Sequence, residues 1–359
     1  MMSLIKNILK PDFNKFLAIV ERFCYKYRYI LLAAVILFLY IMPFTININR
    51  VMYRNLVMII LYSMLGMGLN VLTGYTGQVS LGHAGFYAIG AYTAALLMVD
   101  AGLSFWLALA AGSVMAAVIG LLLAVPTLRL TGTYLYIVTL GFCEVVVMVL
   151  KQWESVTYGN YGVRNIPRPV FFGTQLNLPN GGFYFLILTM ALLTALACHT
   201  IRNSNVGRTF VAIKEDELAA TMMGVRTGRY KILAFVISAF IVGAAGGFYS
   251  VINNGYIEPD NFTFDVSILM LSVVIVGGLG TTRGMIFGAV LLVMFPQWFR
   301  FLNQWRFVIY GVLLVAMMRF RPQGALGWTS TLPYHLSGRT RKLLQERLHL
   351  KGGDSNGAS

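Results

Sequence analysis

The stretch TGYTGQVSLGHAGFYAIGAY, residues 73–92, places five glycines in a largely apolar segment. Gln78, Ser80 and His83 add polar side chains to the same stretch. Glycine in a helix interior is less stable than alanine by about 1 kcal/mol, so an uninterrupted helix is a poor fit. A loop this apolar is also unusual in a soluble protein. The composition of the flanking sequence decides between the two interpretations.

The whole chain is strongly apolar: 58% of its 359 residues are hydrophobic, 11% are charged and the mean hydropathy is +0.72. Soluble domains have about 25% charged residues. Many of the apolar blocks are long enough to cross a hydrocarbon core of about 30 Å. We therefore predict an all-α, polytopic membrane helix bundle of about ten spans with glycine-broken helices. The predicted spans are 30–44, 56–72, 83–99, 105–126, 134–150, 183–201, 231–252, 266–279, 285–297 and 307–318.

The distribution of basic residues predicts the orientation of these spans. When the N-terminus is placed in the cytoplasm, 21 of the 28 Lys and Arg residues fall in segments on the cytoplasmic side. Such an excess is the positive-inside pattern, and an even number of spans puts both termini in the cytoplasm. The net charge of +15 is thereby explained without a nucleic-acid partner.

The sequence predicts three regions. Residues 1–28 form a cytoplasmic segment, in which an apolar stripe over 11–27 indicates an amphipathic helix on the membrane lipid. Residues 29–319 form the transmembrane domain, and residues 320–359 form a basic cytoplasmic tail. The three cysteines, Cys24, Cys143 and Cys198, lack metal-type spacing, so we expect buried thiols, no metal and no cofactor.

Two interpretations of Gln78, Ser80 and His83 stay open. Irregular backbone at membrane depth is tolerated only inside the protein or beside a wet cavity, and transporters use such breaks to present helix ends and free amides to a solute. These three residues would then lie on a substrate pathway. Alternatively, residues 74–82 form a cytoplasmic turn that leads into a tightly packed helix.

Other glycines are spaced for helix packing. Gly243 and Gly247 are four residues apart, as are Gly280, Gly284 and Gly288. Small residues on one helical face let two membrane helices approach closely. We predict packing faces at both sets.

Glu144 is the one acidic residue inside a predicted span. Intramembrane acids are costly and frequently functional, which makes Glu144 a candidate for the substrate pathway. A structural glutamate, protonated or paired with an arginine near an interface, explains it equally well.

The segment from Glu215 to Gly224 has the pattern of a short cytoplasmic helix. Acidic residues open it and glycine follows it, which suits the helix dipole and a C-terminal stop. A free helix this short is marginal in water, so it either docks on a partner or lies on its own membrane surface. The candidate docking residues are Glu215, Asp216, Glu217, Ala219, Ala220 and Gly224.

These segments resemble the LivM-type permease subunits of branched-chain amino-acid ABC importers over roughly residues 55–325. The likeness is carried by GYTGQVSLGHAGFYAIGAYTAALL, LRLTGTYLYIVTLGFCEVV, AIKEDELAATMMGVRTGRYKILAFVISAFIVGAAGGFYS, GGLGTTRGMIFGAVLL and RPQGALG.

The resemblance implies a permease that does no bond chemistry and pairs with a sister permease subunit. It also implies cytoplasmic ATP-binding subunits, an extracytoplasmic substrate-binding protein and a coupling helix over residues 215–224. Ala219, Ala220 and Gly224 match the family's coupling pattern, but the acid is Glu217, with Leu218 between. Tyr158 stands where the family tends to have glycine.

Two other functions compete with this one. A stand-alone proton- or ion-coupled transporter would use Glu144 and His83 as relay groups, and would leave the docking helix without a role. A membrane enzyme would need clustered His, Asp or Cys residues, and of the four histidines only His83 and His199 lie in or near a span, far apart in the sequence. Related permeases also carry urea or short amides, so the substrate class stays open at this point.

Overall fold

The computed structural model describes residues 37, 39–41, 50–128, 130, 132–171, 174–175, 182–252, 255–298, 306–320 and 324–325. The predicted segment 1–28 and most of the predicted tail 320–359 lie outside these residues. The first predicted span, 30–44, is described only at residues 37 and 39–41, which are helical.

The described chain is almost entirely helical. Six of its helices are long and apolar enough to cross a membrane, and three shorter apolar helices accompany them. The α-helices are α1 Arg50–Asn70, α2 His83–Val99, α3 Phe105–Thr127, α4 Thr133–Gln152, α5 Glu154–Thr157, α6 Gly182–Asn203, α7 Asn205–Glu215, α8 Glu217–Met222, α9 Thr227–Ile252, α10 Phe264–Gly277, α11 Thr282–Trp298 and α12 Arg306–Phe320.

Short non-α elements connect these helices. A π-helical turn, Val71–Tyr75, extends α1, and 3-10 turns lie at Gly159–Tyr161 and Pro259–Phe262. Strands β1 Val170–Phe171 and β2 Thr174–Gln175 form a small antiparallel hairpin. An isolated bridge joins Val163 to Ile257.

Helix α1 lies at the centre and α4 at the periphery. In the most apolar window of α1 with its π-helical extension, 78% of the residues are buried, whereas in that of α4 only 28% are buried. Helix α9 crosses α2 and α3, and an aromatic cluster joins α2 and α9 to the 3-10 turn Pro259–Phe262. In that cluster the rings of Tyr87, Tyr249 and Phe262 have centroids 5.0–5.6 Å apart.

Glycines lie at close helix crossings, among them Gly243 and Gly247. A Cβ on Gly243 would overlap the side chain of Ala116 in α3, and a Cβ on Gly247 would lie 2.6 Å from Leu109. The neighbouring Gly246, which the sequence did not single out, contacts the backbone of Tyr87 in α2. Helix α9 therefore meets both α2 and α3 through glycines.

The predicted face of three glycines in the second set is wrong for Gly280. Helix α10 ends at Gly277 and α11 begins at Thr282, so Gly280 lies in the turn between them, with φ of +83°. Its amide donates to Asn70 Oδ1 at 2.8 Å. Gly284 and Gly288 do share a face, which packs against the backbone of Gly277 and Val273 in α10.

The loop after α4 contains a strained residue. Tyr158 adopts the left-handed conformation, with φ of 62°, at the position where the resembling family tends to have glycine. Such a conformation costs a bulky residue about 1–3 kcal/mol. The Tyr158 hydroxyl donates to Asp100 Oδ1 at 2.7 Å, which raises the pKa of Tyr158 and helps to offset the strain.

Candidate functional site

The opening glycine-rich stretch is a helix break. Helix α1 widens into the π-helical turn Val71–Tyr75, and regular helix resumes only at His83. Ser80 and His83 are buried, with 1% and 0% exposure, while Gln78 is partly buried. The break therefore turns its polar side chains into the protein.

His83 lies in a continuous hydrogen-bond network. Its Nδ1 is 2.9 Å from Ser80 Oγ and its Nε2 is 2.7 Å from Ser238 Oγ. Ser238 in α9 donates its hydroxyl proton to the Gly68 carbonyl at 2.7 Å. Because Ser238 has one proton, its oxygen accepts from Nε2–H, and the tautomer that satisfies every group leaves Nδ1 to accept from Ser80.

Side chains from other helices hold the backbone of the break. The Leu81 amide donates to Thr139 Oγ1 at 3.1 Å, and the Ala84 amide donates to Ser267 Oγ at 3.0 Å. The Gly82 amide donates to Ser80 Oγ at 3.3 Å. The expectation that this break leaves its amides free for a substrate carboxylate is therefore wrong for these three groups.

Gln78 differs from its neighbours. Its backbone carbonyl accepts from Thr73 Oγ1 at 3.1 Å, but its side-chain Oε1 is buried without a hydrogen-bond donor among the described residues. An unsatisfied buried acceptor is uncommon in a native protein.

Glu144 lies apart from this network. It is exposed on α4, on a face that also exposes Val145 and Met148, with 58% and 64% exposure. Within the described residues its carboxylate has neither a hydrogen-bond donor nor an ion-pair partner. The structure therefore separates Glu144 from Gln78, Ser80 and His83, with which the sequence had grouped it.

The predicted docking helix is shorter than 215–224. Glu215 ends α7, and Asp216 has an extended backbone with φ of −157°, so it breaks the helix. Asp216 then caps α8 by accepting from the Ala219 amide at 2.9 Å. The docking helix itself is therefore Glu217–Met222. The Asp216 carboxylate takes the place of the backbone carbonyl that the Ala219 amide lacks in the first turn.

Gly224 ends α8 as predicted. Its φ of +84° is favourable only for glycine, and its amide donates to the Thr221 carbonyl at 2.9 Å. The Val225 amide donates to the Ala220 carbonyl at 3.1 Å. These two bonds form a Schellman motif, the common left-handed termination of an α-helix.

Helix α8 presents an apolar face to solvent. Leu218, Met222 and Met223 are 69%, 78% and 85% exposed. On the opposite side Ala220 is buried, and Glu217 forms an ion pair with Lys231 of α9 at 2.5 Å. An exposed apolar face on a helix that is fixed at its other side is typical of a docking surface.

The sequence missed the residues that hold the break in place. They are polar side chains from α1 and from helices distant in sequence, and the signal for all but Lys214 was their polarity within apolar spans. They are Asn70, Thr139, Lys214, Ser238 and Ser267. Cys143 and Cys198 are free and buried, as expected, and Cys24 lies outside the described residues. In the described part of the chain, no three His, Cys, Asp or Glu side chains form a metal-type group.

Removing the Ser238 hydroxyl tests whether the network serves as scaffold. Ser238→Ala leaves His83 Nε2–H without its acceptor, and an unsatisfied buried donor costs about 1–3 kcal/mol. We expect a clear loss of thermal stability in detergent together with reduced uptake. Ser272→Ala is the control, because the hydroxyl of this buried serine bonds only within its own helix, to Ile268. Reduced uptake at unchanged thermal stability would instead indicate that the network lies on a substrate path.

Comparison with known proteins agrees with these features. The sequence model of a family described as "Branched-chain amino acid transport system / permease component" matches residues 51–318. The chain is 38% identical over 309 residues to the high-affinity branched-chain amino acid transport system permease protein LivM of Escherichia coli K12. That alignment covers 80% of this chain and 72% of LivM.

Two further relatives are more distant. The permease protein LivH of the same E. coli strain is 29% identical over 292 residues, which cover 74% of this chain and 91% of LivH. The fructose import permease protein FrcC of Rhizobium meliloti is 26% identical over 193 residues, or 50% of this chain and 52% of FrcC. No solved structure gives a significant match. The family match extends over most of the chain, and the chain therefore belongs to the permease components of branched-chain amino acid transport systems.

Proposed function

We propose that the chain is the transmembrane permease subunit of an ATP-driven importer that carries branched-chain amino acids across the inner membrane of a bacterium. The observation that carries this proposal is the family match over residues 51–318, which includes the break at 74–82 and the exposed helix α8. The substrate follows from the relatives, which are named for branched-chain amino acid transport.

A ten-span topology with both termini in the cytoplasm accompanies this function. Segments assigned to the cytoplasm contact one another: Lys214 bonds Gly74, and the Ala325 amide donates to Val276 near the turn at Gly280. Segments assigned to the outside do likewise, since Tyr158 bonds Asp100. Lys151 also pairs with Asp260 at 2.6 Å. These contacts support the assignment of their segments to two opposite faces of the membrane.

The three-region organisation follows from this topology. The permease domain spans residues 29–319. Residues 1–28 form an amphipathic cytoplasmic segment on the lipid, and residues 320–359 form a basic cytoplasmic tail.

ATP hydrolysis belongs to separate cytoplasmic subunits. The 359-residue sequence contains no G-x-x-x-x-G-K-[ST] phosphate-binding loop. Helix α8 offers these subunits an apolar face built by Leu218, Met222 and Met223. We assign it as the coupling helix, with Glu217, Ala219, Ala220 and Gly224 in the helix and its cap and with Glu215 and Asp216 at its hinge.

A sister permease covers helix α4. Glu144 is exposed there in mid-helix, and a charged group facing lipid is costly. Gly141 lies one turn away with open space where a Cβ would be, and small residues favour close helix association in membranes. The polar group and the small residue together suit another protein helix better than lipid.

Substrate delivery and passage complete the scheme. An extracytoplasmic binding protein would release the amino acid at the outer face, where the 151–171 loop is joined to 255–262 through the Val163–Ile257 bridge. Glu144 would contribute to the path between the two permeases. Gln78, Ser80 and His83 would line or hold its cytoplasmic end, where the chain is already broken.

Reconstitution into vesicles tests the function. With the sister permease, the ATP-binding subunits and the binding protein present, we expect ATP-dependent accumulation of leucine and none of urea or acetamide. Omitting the ATP-binding subunits should abolish accumulation. Uptake driven by a proton gradient in their absence would reject the ATP-driven assignment. Uptake of urea in place of leucine would reject the substrate.

A further inference from the structure

Lys214 joins the coupling helix to the broken segment. It is the penultimate residue of α7, two positions before the Asp216 hinge of α8. Its Nζ donates to the Gly74 carbonyl at 2.9 Å, across 140 residues of sequence. Lys214 is an exposed residue as a whole, but partial desolvation of its ammonium group lowers the pKa of Lys214; the charge of Glu215 opposes that shift and Arg202 adds to it.

The acceptor is a carbonyl at a helix end. Gly74 lies in the last turn of the π-helical segment Val71–Tyr75, and the last carbonyls of a helix lack intrahelical partners. π-helical turns inside α-helices are frequent at functional sites. The lysine therefore satisfies a backbone group that the break itself exposes.

The aliphatic stem of Lys214 contacts the same segment. A Cβ built on Gly77 would lie 3.2 Å from Lys214 Cγ and 3.7 Å from its Cα. The Gly280 turn is also close to this segment, since a Cβ on Gly74 would lie 2.7 Å from the Gly280 amide nitrogen. The segment is therefore packed against both α7 and the Gly280 turn.

A second connection from α8 leads to the same network. Glu217 pairs with Lys231, and Ser238 follows Lys231 by seven residues on α9, which is about two helical turns. Ser238 bonds His83 at the end of the break. Helix α8 is therefore connected to the beginning of the break through Lys214 and to its end through α9.

We propose that Lys214 is a positioning residue that transmits movement of α8 to residues 74–82, so that displacement of the coupling helix rearranges the break. The inference rests on the proposed ATP-driven function.

The test compares thiol labelling at Val79→Cys in different nucleotide states. The full complex is labelled with a water-soluble maleimide without nucleotide and with a non-hydrolysable ATP analogue, and the peptide that carries residue 79 is quantified by mass spectrometry. In the otherwise native chain we expect several-fold different labelling between the two states. Lys214→Met should make the two states equal, and Lys214→Arg should restore most of the difference.

Arg208→Met is the matched control. Arg208 is exposed on the same helix and bonds Asn205 within it, so this change removes one charge and leaves the contact with Gly74 intact. Nucleotide-dependent labelling should persist in this variant.

Three results would overturn the proposal. One is nucleotide-dependent labelling that survives in Lys214→Met. Another is labelling of Val79→Cys that does not change with nucleotide in the otherwise native chain, because then no movement reaches the segment. The last is loss of the ATP-binding subunits from the Lys214→Met complex, which would show that the lysine serves docking. Failure of the ATP-driven function itself would appear separately, as leucine uptake without ATP in the native complex.

Discussion

Replacing Ala219 with arginine is expected to abolish most ATP-dependent uptake while leaving the fold intact. Ala219 is exposed on α8, next to Leu218 and one turn from Met222 and Met223. Its amide, which donates to the Asp216 carboxylate, is unchanged by the substitution. A large side chain at a close-packed contact costs about 1–3 kcal/mol. That cost corresponds to roughly 5- to 150-fold weaker binding of the ATP-binding subunits.

Ala212→Arg provides the matched comparison. Ala212 is an exposed alanine of α7, seven residues before Ala219, and it receives the same side chain. Retention of the ATP-binding subunits on the purified permease pair measures docking, and leucine uptake measures coupling. We expect Ala219→Arg to lose both and Ala212→Arg to keep both. Wild-type retention and uptake in Ala219→Arg would show that α8 is not the docking element.

The sequence was sufficient to predict most helices and their bounds. The predicted span 105–126 is observed as Phe105–Thr127, and 83–99 agrees with His83–Val99. Hydropathy defines the span length, and glycine or charge defines the ends, so both signals are local. The structure describes only part of the first span, and the six long candidate spans leave the predicted number of ten unconfirmed.

Local patterns failed where the backbone leaves the helix. Gly280, Gly284 and Gly288 have helical spacing, but a positive φ at Gly280 places it in a turn. Regular spacing in the sequence does not show whether one of the glycines interrupts the helix. The same limit applies to Asp216, which the composition places at a helix start without revealing that α7 ends directly before it.

Long-range contacts lay beyond reach for a different reason. Lys214 and Gly74 are 140 residues apart, and His83 and Ser238 are 155 residues apart. The sequence singled out His83 and the glycine-rich stretch but missed Lys214 and Ser238, because one sequence gives no measure of which helices are neighbours. Glu144 was recognised as the lone acid within a span, yet only the packing of α4 shows that it is exposed.

A single methyl group added at Gly90 is expected to destabilise the bundle, although glycine-to-alanine changes normally stabilise a helix. The usual gain is about 0.5–1 kcal/mol, because alanine loses less conformational freedom on folding. At Gly90 a Cβ would overlap the backbone carbonyl and Cα of Gly243 in α9. Backbone atoms cannot rotate away as a side chain can, so α2 and α9 would have to separate.

Separation at this crossing would also disturb a third helix. A Cβ on Gly112 of α3 would lie 2.6 Å from the Gly90 carbonyl oxygen, which shows how closely the three backbones approach. Overpacking of this kind costs about 1–3 kcal/mol and sometimes more. Because α2 begins at His83, a shift of α2 would also strain the bonds from His83 to Ser80 and Ser238. Gly90→Ala should therefore reduce uptake as well as stability.

Gly141→Ala is the control that separates the effect of the close helix crossing from the effect of replacing a glycine by alanine. Gly141 lies in the middle of α4, and a Cβ there meets no atom of the described chain within 4 Å. We expect Gly141→Ala to keep or raise the thermal stability of the purified chain in detergent, whereas Gly90→Ala lowers it and reduces its yield in membranes. Equal stability in the two variants would mean that α2 and α9 do not approach as closely as described. Gly243 would then have no packing role at this crossing. If Gly141→Ala lost stability only after assembly with the sister permease, the open space beside Gly141 would be where the partner helix lies.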